Sequence, residues 1–242
     1  MLKAILGEGE ESGDIRWTTG GTLISFRWIL TAASSVETSR PLVVRLGEHD
    51  LSDPYETITE IFNVTQTIPH PNWRSGLSRT NYHNIALLRL DREVSFRPIS
   101  FPACLPTKED TLSLGRKSTP IVAGWGTTSF GGKESNILQK AKAPLIDPSK
   151  CEEVVSRYNF LKRIYPNGMM GQVLCAGGAG QDLCQGDTGG PLMLPRDGEK
   201  CQYNVIGIVS TGVGCGGDFP GFYTQVSSYL DWIEGIVWKS DP

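Results

Sequence analysis

Short runs of β-branched and aromatic residues recur along this chain, each closed by a cluster of turn-forming residues. That rhythm is what most restricts the fold. The runs fall at 21–25, 28–31, 42–46, 58–68, 84–90, 121–126, 204–210 and 221–226. Such side chains suit a pleated surface, and strands at this spacing favour a sandwich or barrel over parallel βαβ units. Only the tail has a firm helical period. Within 227–238, Leu230, Ile233 and Val237 fall on one face, with Tyr229, Trp232 and Ile236 beside it. The stretch 101–117, rich in proline, threonine and charge, reads as a connector between two halves.

A chain of 242 residues holds one large β domain or two smaller ones. Its formal net charge of −3 gives no electrostatic case for nucleic acid, and no apolar run reaches membrane-spanning length. Met1–Gly7 lacks the long apolar stretch and cleavage site of a signal peptide. The six cysteines, Cys104, Cys151, Cys175, Cys184, Cys201 and Cys215, form no CxxC or Cys/His cluster, so zinc is not expected. Their even number and wide spacing suit a secreted disulfide framework, without choosing a pairing. Asn63-Val64-Thr65 is a glycosylation acceptor sequence and points to the same extracellular compartment.

Three segments carry a sharper signal. Gly186-Asp187-Thr188-Gly189-Gly190-Pro191-Leu192 resembles the Gly-Asp-Ser-Gly-Gly-Pro motif of chymotrypsin-like serine proteases, with Thr188 at the nucleophile position. Leu30-Thr31-Ala32-Ala33-Ser34-Ser35 resembles Leu-Thr-Ala-Ala-His-Cys, with Ser34 in place of the general base. His83-Asn84-Ile85-Ala86-Leu87-Leu88 resembles the Asp-Ile-Ala-Leu-Leu segment, with Asn84 in place of the orienting aspartate. Ala123-Gly124-Trp125-Gly126, the segment Phe101–Pro106 and Pro220-Gly221-Phe222-Tyr223 extend the likeness over nearly the whole chain. Arg45–Leu51, Cys201-Gln202-Tyr203 and the ending 226–238 are similar to arthropod CLIP-domain proteases, although no CLIP module is present.

The resemblance implies an all-β, trypsin-like fold of two packed antiparallel six-stranded β-barrels with a C-terminal helix. The whole of 1–242 is then a single protease domain: a first barrel over about 1–100, a connector over 101–117, a second barrel over 118–226 and a helix over 227–238. It further implies that an N-terminal activation segment is missing, since Met1–Ala4 already resembles the first interior strand.

The chemistry at the three triad positions differs from the family pattern. A neutral hydroxyl is a weak nucleophile until a base takes its proton. Ser34 has no titratable nitrogen, Asn84 carries no charge to stabilise an imidazolium, and the Thr188 methyl crowds the line of attack. His83 neighbours Asn84 along an extended segment, so its side chain is expected on the opposite face. From these substitutions the chain is expected not to be an enzyme. The resemblance assigns Gly186 and Thr188 as oxyanion-hole donors. In the family, a freed amino terminus pairs with the residue at Asp187. Without it the loop is expected to be zymogen-like, so restoring His, Asp and Ser would not bring trypsin-level activity.

Asp182, with Gly212 and Gly221 as walls, matches a specificity pocket for Arg or Lys side chains. Inheritance from an active ancestor is its plainer explanation. Thr211 replaces the family's indole shelf. By resemblance alone, Cys151–Cys175 and Cys184–Cys215 are bridges. Cys104 and Cys201 are left to pair with each other or with an upstream propiece. Thr19 and Ser35 stand where another family bridge is lost at both ends. Glu48, Asp50, Asp53, Glu56 and Glu60 match the calcium loop of many trypsins and give a possible structural Ca²⁺ site, although acidic turns are usually just solvated. No other cofactor is expected.

The reading that results is a secreted, noncatalytic homologue acting as regulator or cofactor in an extracellular protease cascade such as arthropod immunity or melanisation. Its partners are proteins of that cascade, with neither nucleic acid nor membrane. The alternatives are a trypsin-like serine-type endopeptidase cleaving after Arg or Lys with an unorthodox centre, and a nonfunctional gene fragment.

Overall fold

A computed structural model of the chain describes residues 3–9, 15–38, 43–53, 55–74, 80–95, 100–107, 119–129, 131–178, 186–196, 203–212 and 219–239. Six strands make the first half: β1 (Lys3–Glu8), β2 (Arg16–Ser25), β3 (Trp28–Thr31), β4 (Val43–Leu46), β5 (Glu60–Pro69) and β6 (Ala86–Leu90). They close into an antiparallel barrel in the order β1-β2-β3-β6-β5-β4. The second half is a six-stranded antiparallel sheet ordered β8-β7-β10-β11-β12-β9. Its strands are β7 (Ile121–Gly124), β8 (Gln139–Lys142), β9 (Val173–Ala176), β10 (Pro191–Pro195), β11 (Tyr203–Thr211) and β12 (Gly221–Gln225). A bridge between Leu145 and Ala176, and the bond from Ile146 N–H to Cys175 O, draw the two edges of this sheet together.

Period-two alternation explains both halves. In β3, Ile29 enters the first barrel while Leu30 faces the other half; in β6, Ala86, Leu88 and Leu90 point in and Leu87 points out. Leu30, Ile85 and Leu87 thereby join Met193, Val205 and Ile208 in one shared core between the sheets. Each of the fully buried leucines contributes about 1.5–3 kcal/mol of transfer free energy.

Four helices complete the described fold. These are α1 (Ala33–Thr38), α2 (Pro148–Arg157), α3 (Asn159–Ile164) and α4 (Leu230–Val237), the last preceded by a 3-10 turn at Val226–Tyr229. The expectation of helix only at the tail is thus corrected. Asp147 caps α2 by accepting the Ser149 N–H, and Pro148 takes the first turn, where its missing donor costs nothing. Cys151 of α2 and Cys175 of β9 are joined by a disulfide with Cα atoms 6.3 Å apart, within the ordinary range. The packing of Val226, Tyr229 and Ile233 places the C-terminal elements against the shared core.

Candidate active site

Ser34 lies in the first turn of α1, directly after β3, and its N–H donates to Asn84 Oδ1 at 2.8 Å. Asn84 is fully buried two residues before β6, and its Nδ2 donates to Ser210 Oγ of β11 at 2.8 Å. Its own carbonyl accepts the Thr224 hydroxyl of β12 at 2.9 Å. One amide side chain therefore spans the seam, satisfied at both ends. Burial of such a group demands this pairing.

Thr188 reaches the same seam from the second half. Its carbonyl accepts the Gly20 N–H of β2 at 2.8 Å. Gly189 N–H donates to Val209 O and Gly190 N–H to Asp187 O, both at 2.9 Å, so the turn is tied to β11 and to itself. Gly186 and Gly189 have φ of +94° and +80°, which an L side chain rarely adopts. A Cβ on Gly189 would also collide with Thr31 Oγ1 and Gly20 O. The sequence thus requires glycine there both for conformation and for space.

Asp187, whose want of a partner underlay the expectation of a zymogen-like loop, has a cation beside it. Lys3 Nζ stands 3.7 Å from Asp187 Oδ1, and the Gly126 N–H donates to the same oxygen at 3.1 Å. Lys3 Nζ also donates to Ala123 O at 2.5 Å and sits 5.1 Å from the centre of the Trp125 ring. Burial pulls the Lys3 pKa down to about 8, with Asp187 acting in the opposite direction. Sequence reasoning missed Lys3, although a lysine within an apolar strand was a visible signal.

His83 points away from Asn84, through a turn and not the extended segment expected of it. Its φ of +56° turns the ring towards the C-terminal elements. There it stacks on His70 at 4.9 Å, and Nδ1 lies 3.2 Å from the Tyr229 hydroxyl. Burial lowers the His83 pKa, and that of His70 falls to about 4. The imidazoles of this pair are held neutral on the far side of the seam from Ser34.

Asp182, Cys184, Cys201 and Cys215 lie outside the described residues, so the pocket floor and the second bridge do too. The pairing of Thr211 with Phe222 places Gly212 and Gly221 at one end of the β11–β12 ladder. The Thr211 hydroxyl is taken by Asn81 Nδ2. Cys104 is a free thiol among the described residues, approached by Arg196 at 3.3 Å. Thr19 Oγ1 and Ser35 Oγ, at the ends of the lost bridge, are buried hydroxyls with no hydrogen-bond partner among the described residues.

Four of the five acidic loop residues turn to protein donors. Glu48 is buried and takes Arg45 and the His49 N–H, while Glu56 meets His49 Nδ1 at 2.6 Å. Asp50 accepts from Ser52 and Asp53 from the Tyr55 N–H. Among the described residues no three His, Cys, Asp or Glu side chains gather as a metal-holding group. Asn63 is exposed on β5, with its amide 3.4 Å from Asp91.

A cleft of about 370 Å³ opens beside the loop, lined by Trp17, Thr18, Gly20, Trp125 and Gly186 among others. Its lining includes Gly186 of the loop but not Ser34, Asn84 or Thr188. Position 34 supplies a hydroxyl where an imidazole would move a proton.

The sequence model of the family described as Trypsin matches residues 7–233. Serine protease Hayan of Drosophila melanogaster is 37% identical over 234 residues, covering 95% of this chain and 36% of its own length. Serine protease snk of the same fly is 36% identical, covering 96% of this chain and 52% of its own. Phenoloxidase-activating factor 1 of Holotrichia diomphalia is 36% identical, covering 97% and 66%. The chain therefore spans between about a third and two thirds of the length of these relatives. These matches overturn the expectation that the chain is not an enzyme. The matching family is catalytic, and the relatives are named as serine proteases. The side chains at 34, 84 and 188 describe how this centre is built and do not by themselves exclude it from enzymes.

Proposed function

Because this chain belongs to the trypsin family, we propose that it is a trypsin-like serine-type endopeptidase domain with an unorthodox centre. It acts outside the cell in a protease cascade of the kind for which its relatives, among them a phenoloxidase-activating factor and a melanization protease, are named. The observation that carries this reading is the set loop: Asp187 paired with Lys3, Thr188 bonded across the seam to Gly20, and Gly189 bonded to β11. Such a loop aims the Gly186 and Thr188 amides at a developing oxyanion. No helix among the described residues is long and apolar enough to cross a membrane.

The rate follows from the parts. With Ser34 in place of an imidazole, catalysis rests on the oxyanion hole and on binding, which together keep roughly 10³–10⁴-fold over water when a triad member is lost. An activated arginyl thioester, more labile than an amide, brings that level into range. Micromolar protein should hydrolyse it above the buffer rate and saturate with substrate. A rate equal to buffer overturns the endopeptidase reading and leaves binding of cascade proteins as the domain's contribution. Arginyl-amide turnover near that of trypsin would mean that a base acts where none has been identified.

A further inference from the structure

The surroundings of the buried Lys3 ammonium are closely built. Lys3 enters from β1 of the first barrel, meets Ala123 O at the end of β7 in the second sheet, and stops 3.7 Å from Asp187 Oδ1. Both side chains are nearly inaccessible to water. Three glycines wall the pair. A Cβ on Gly124 would overlap the Asp187 carboxylate and lie 2.9 Å from Lys3 Nζ. A Cβ on Gly20 would lie 3.2 Å from Lys3 Cε, and one on Gly190 3.5 Å from it. A carboxylate so enclosed needs a cation and hydrogen bonds to stay charged. Lys3 and the Gly126 N–H supply them.

We propose that Lys3 is a positioning residue, the internal cation that holds Asp187 and through it sets the 186–190 turn. The turn is then ordered by a side chain of the folded domain. Asp187 is the hinge of the arrangement. Its carboxylate is fixed by Lys3 and Gly126, and its carbonyl receives the Gly190 N–H. Thr188 sits between, with its carbonyl bound to Gly20. Loss of the cation frees the carboxylate to seek water and takes the turn with it. The proposal deepens the endopeptidase reading and rests on it only in treating the Gly186 and Thr188 amides as oxyanion donors.

Hydrogen exchange tests it without needing turnover. Protection of the peptide covering 186–195 is compared with that of β3 in the wild-type chain, Lys3→Met, Asp187→Asn and the double variant. Lys3→Met should lower protection of the loop at least tenfold and leave β3 unchanged. In the Asp187→Asn background the same substitution should change the loop less than about twofold, because Lys3 acts through Asp187. Equal losses in both backgrounds, or wild-type loop protection in a folded Lys3→Met, overturn the proposal.

A second measurement needs no variant. The Lys3 ¹³Cε resonance should titrate near pH 8, and the amide resonances of Gly189 and Gly190 should move with the same midpoint. Asp187 is the carboxylate at the ammonium. Arg16 and Glu134 line the cleft on one side of Lys3, and His49 and Lys140 line the cavity on the other. Loop amides that ignore the Lys3 midpoint overturn the proposal. Coupled loop amides together with a buffer-level thioester rate would keep it and remove the endopeptidase reading alone.

Discussion

Gly124→Ala is the smallest change that should unseat the buried pair. The new methyl would stand inside van der Waals contact of Asp187 Oδ1 and Cγ, and 2.9 Å from Lys3 Nζ. Backbone cannot yield easily, since Gly124 pairs with Gln139 of β8. The carboxylate must move, surrendering Lys3 and the Gly126 N–H together. Breaking a buried pair this way costs about 3–5 kcal/mol. With a urea m-value of about 3 kcal/mol/M, the unfolding midpoint should fall by about 1–1.7 M. The control is Gly235→Ala in α4, where a Cβ meets nothing within 4 Å. That change should raise stability by about 0.8–1 kcal/mol, since glycine is a poor helix former. Equilibrium urea unfolding followed by tryptophan fluorescence measures both. A Gly124→Ala midpoint within about 0.2 M of wild type would refute the reasoning, because it would mean that the carboxylate has room to spare.

Three further outcomes are expected. Ser34→His, Asn84→Asp and Thr188→Ser combined should raise arginyl-ester turnover at least about 10³-fold, since the loop is already set and Ser210 can turn its hydroxyl to donate to the new carboxylate. A stopped assay on the purified variant checks this, and an unchanged rate counts against the set loop. His70 is held neutral, its pKa lowered from 6.5 to about 4 by burial and then by His83. The unfolded chain therefore binds more protons between those values, so stability present near neutrality is lost as pH falls from about 6.5 towards 4. For a partly exposed ring the loss is about 1–2 kcal/mol, and His70→Phe should flatten the slope in a series of urea melts. Thr19→Cys with Ser35→Cys should close a loop of ordinary size and add about 3 kcal/mol under oxidising conditions, read as a midpoint shift reversed by reductant. Failure of the bridge to form would place the two orphan hydroxyls on separate walls of the site.

What was legible in the sequence was whatever repeated. Alternation in 28–31 matched β3, and 221–226 matched β12 to within a residue. Strand ends drifted where bulges intervene, as between Val64 and Gln66 of β5. Helix α2 was missed because its apolar residues are few: Cys151 and Val155 alone are buried, and the Asp147-Pro148 start was its only clear sign. At the site, Ser34, Asn84 and Thr188 were placed from motif position, and the structure does set Ser34 against Asn84. Lys3 escaped notice because its partner lies at position 187, in the other half of the fold. Pattern reports which face a residue takes, and not what waits on the other side. The loop was therefore misjudged because the pairing of Lys3 with Asp187 joins residues far apart in the chain.

Asn84 carries a consequence of its own. It fastens α1 to β11 with a single amide, while its backbone takes Thr224 of β12. The Thr188 carbonyl does similar work towards β2. These bonds are rivets. Asn84 holds through its side-chain amide and must stay polar to do so, whereas Ser34 and Thr188 hold through a backbone N–H and a backbone carbonyl. The side chains at 34 and 188 could therefore be exchanged one at a time while the two halves stayed fastened.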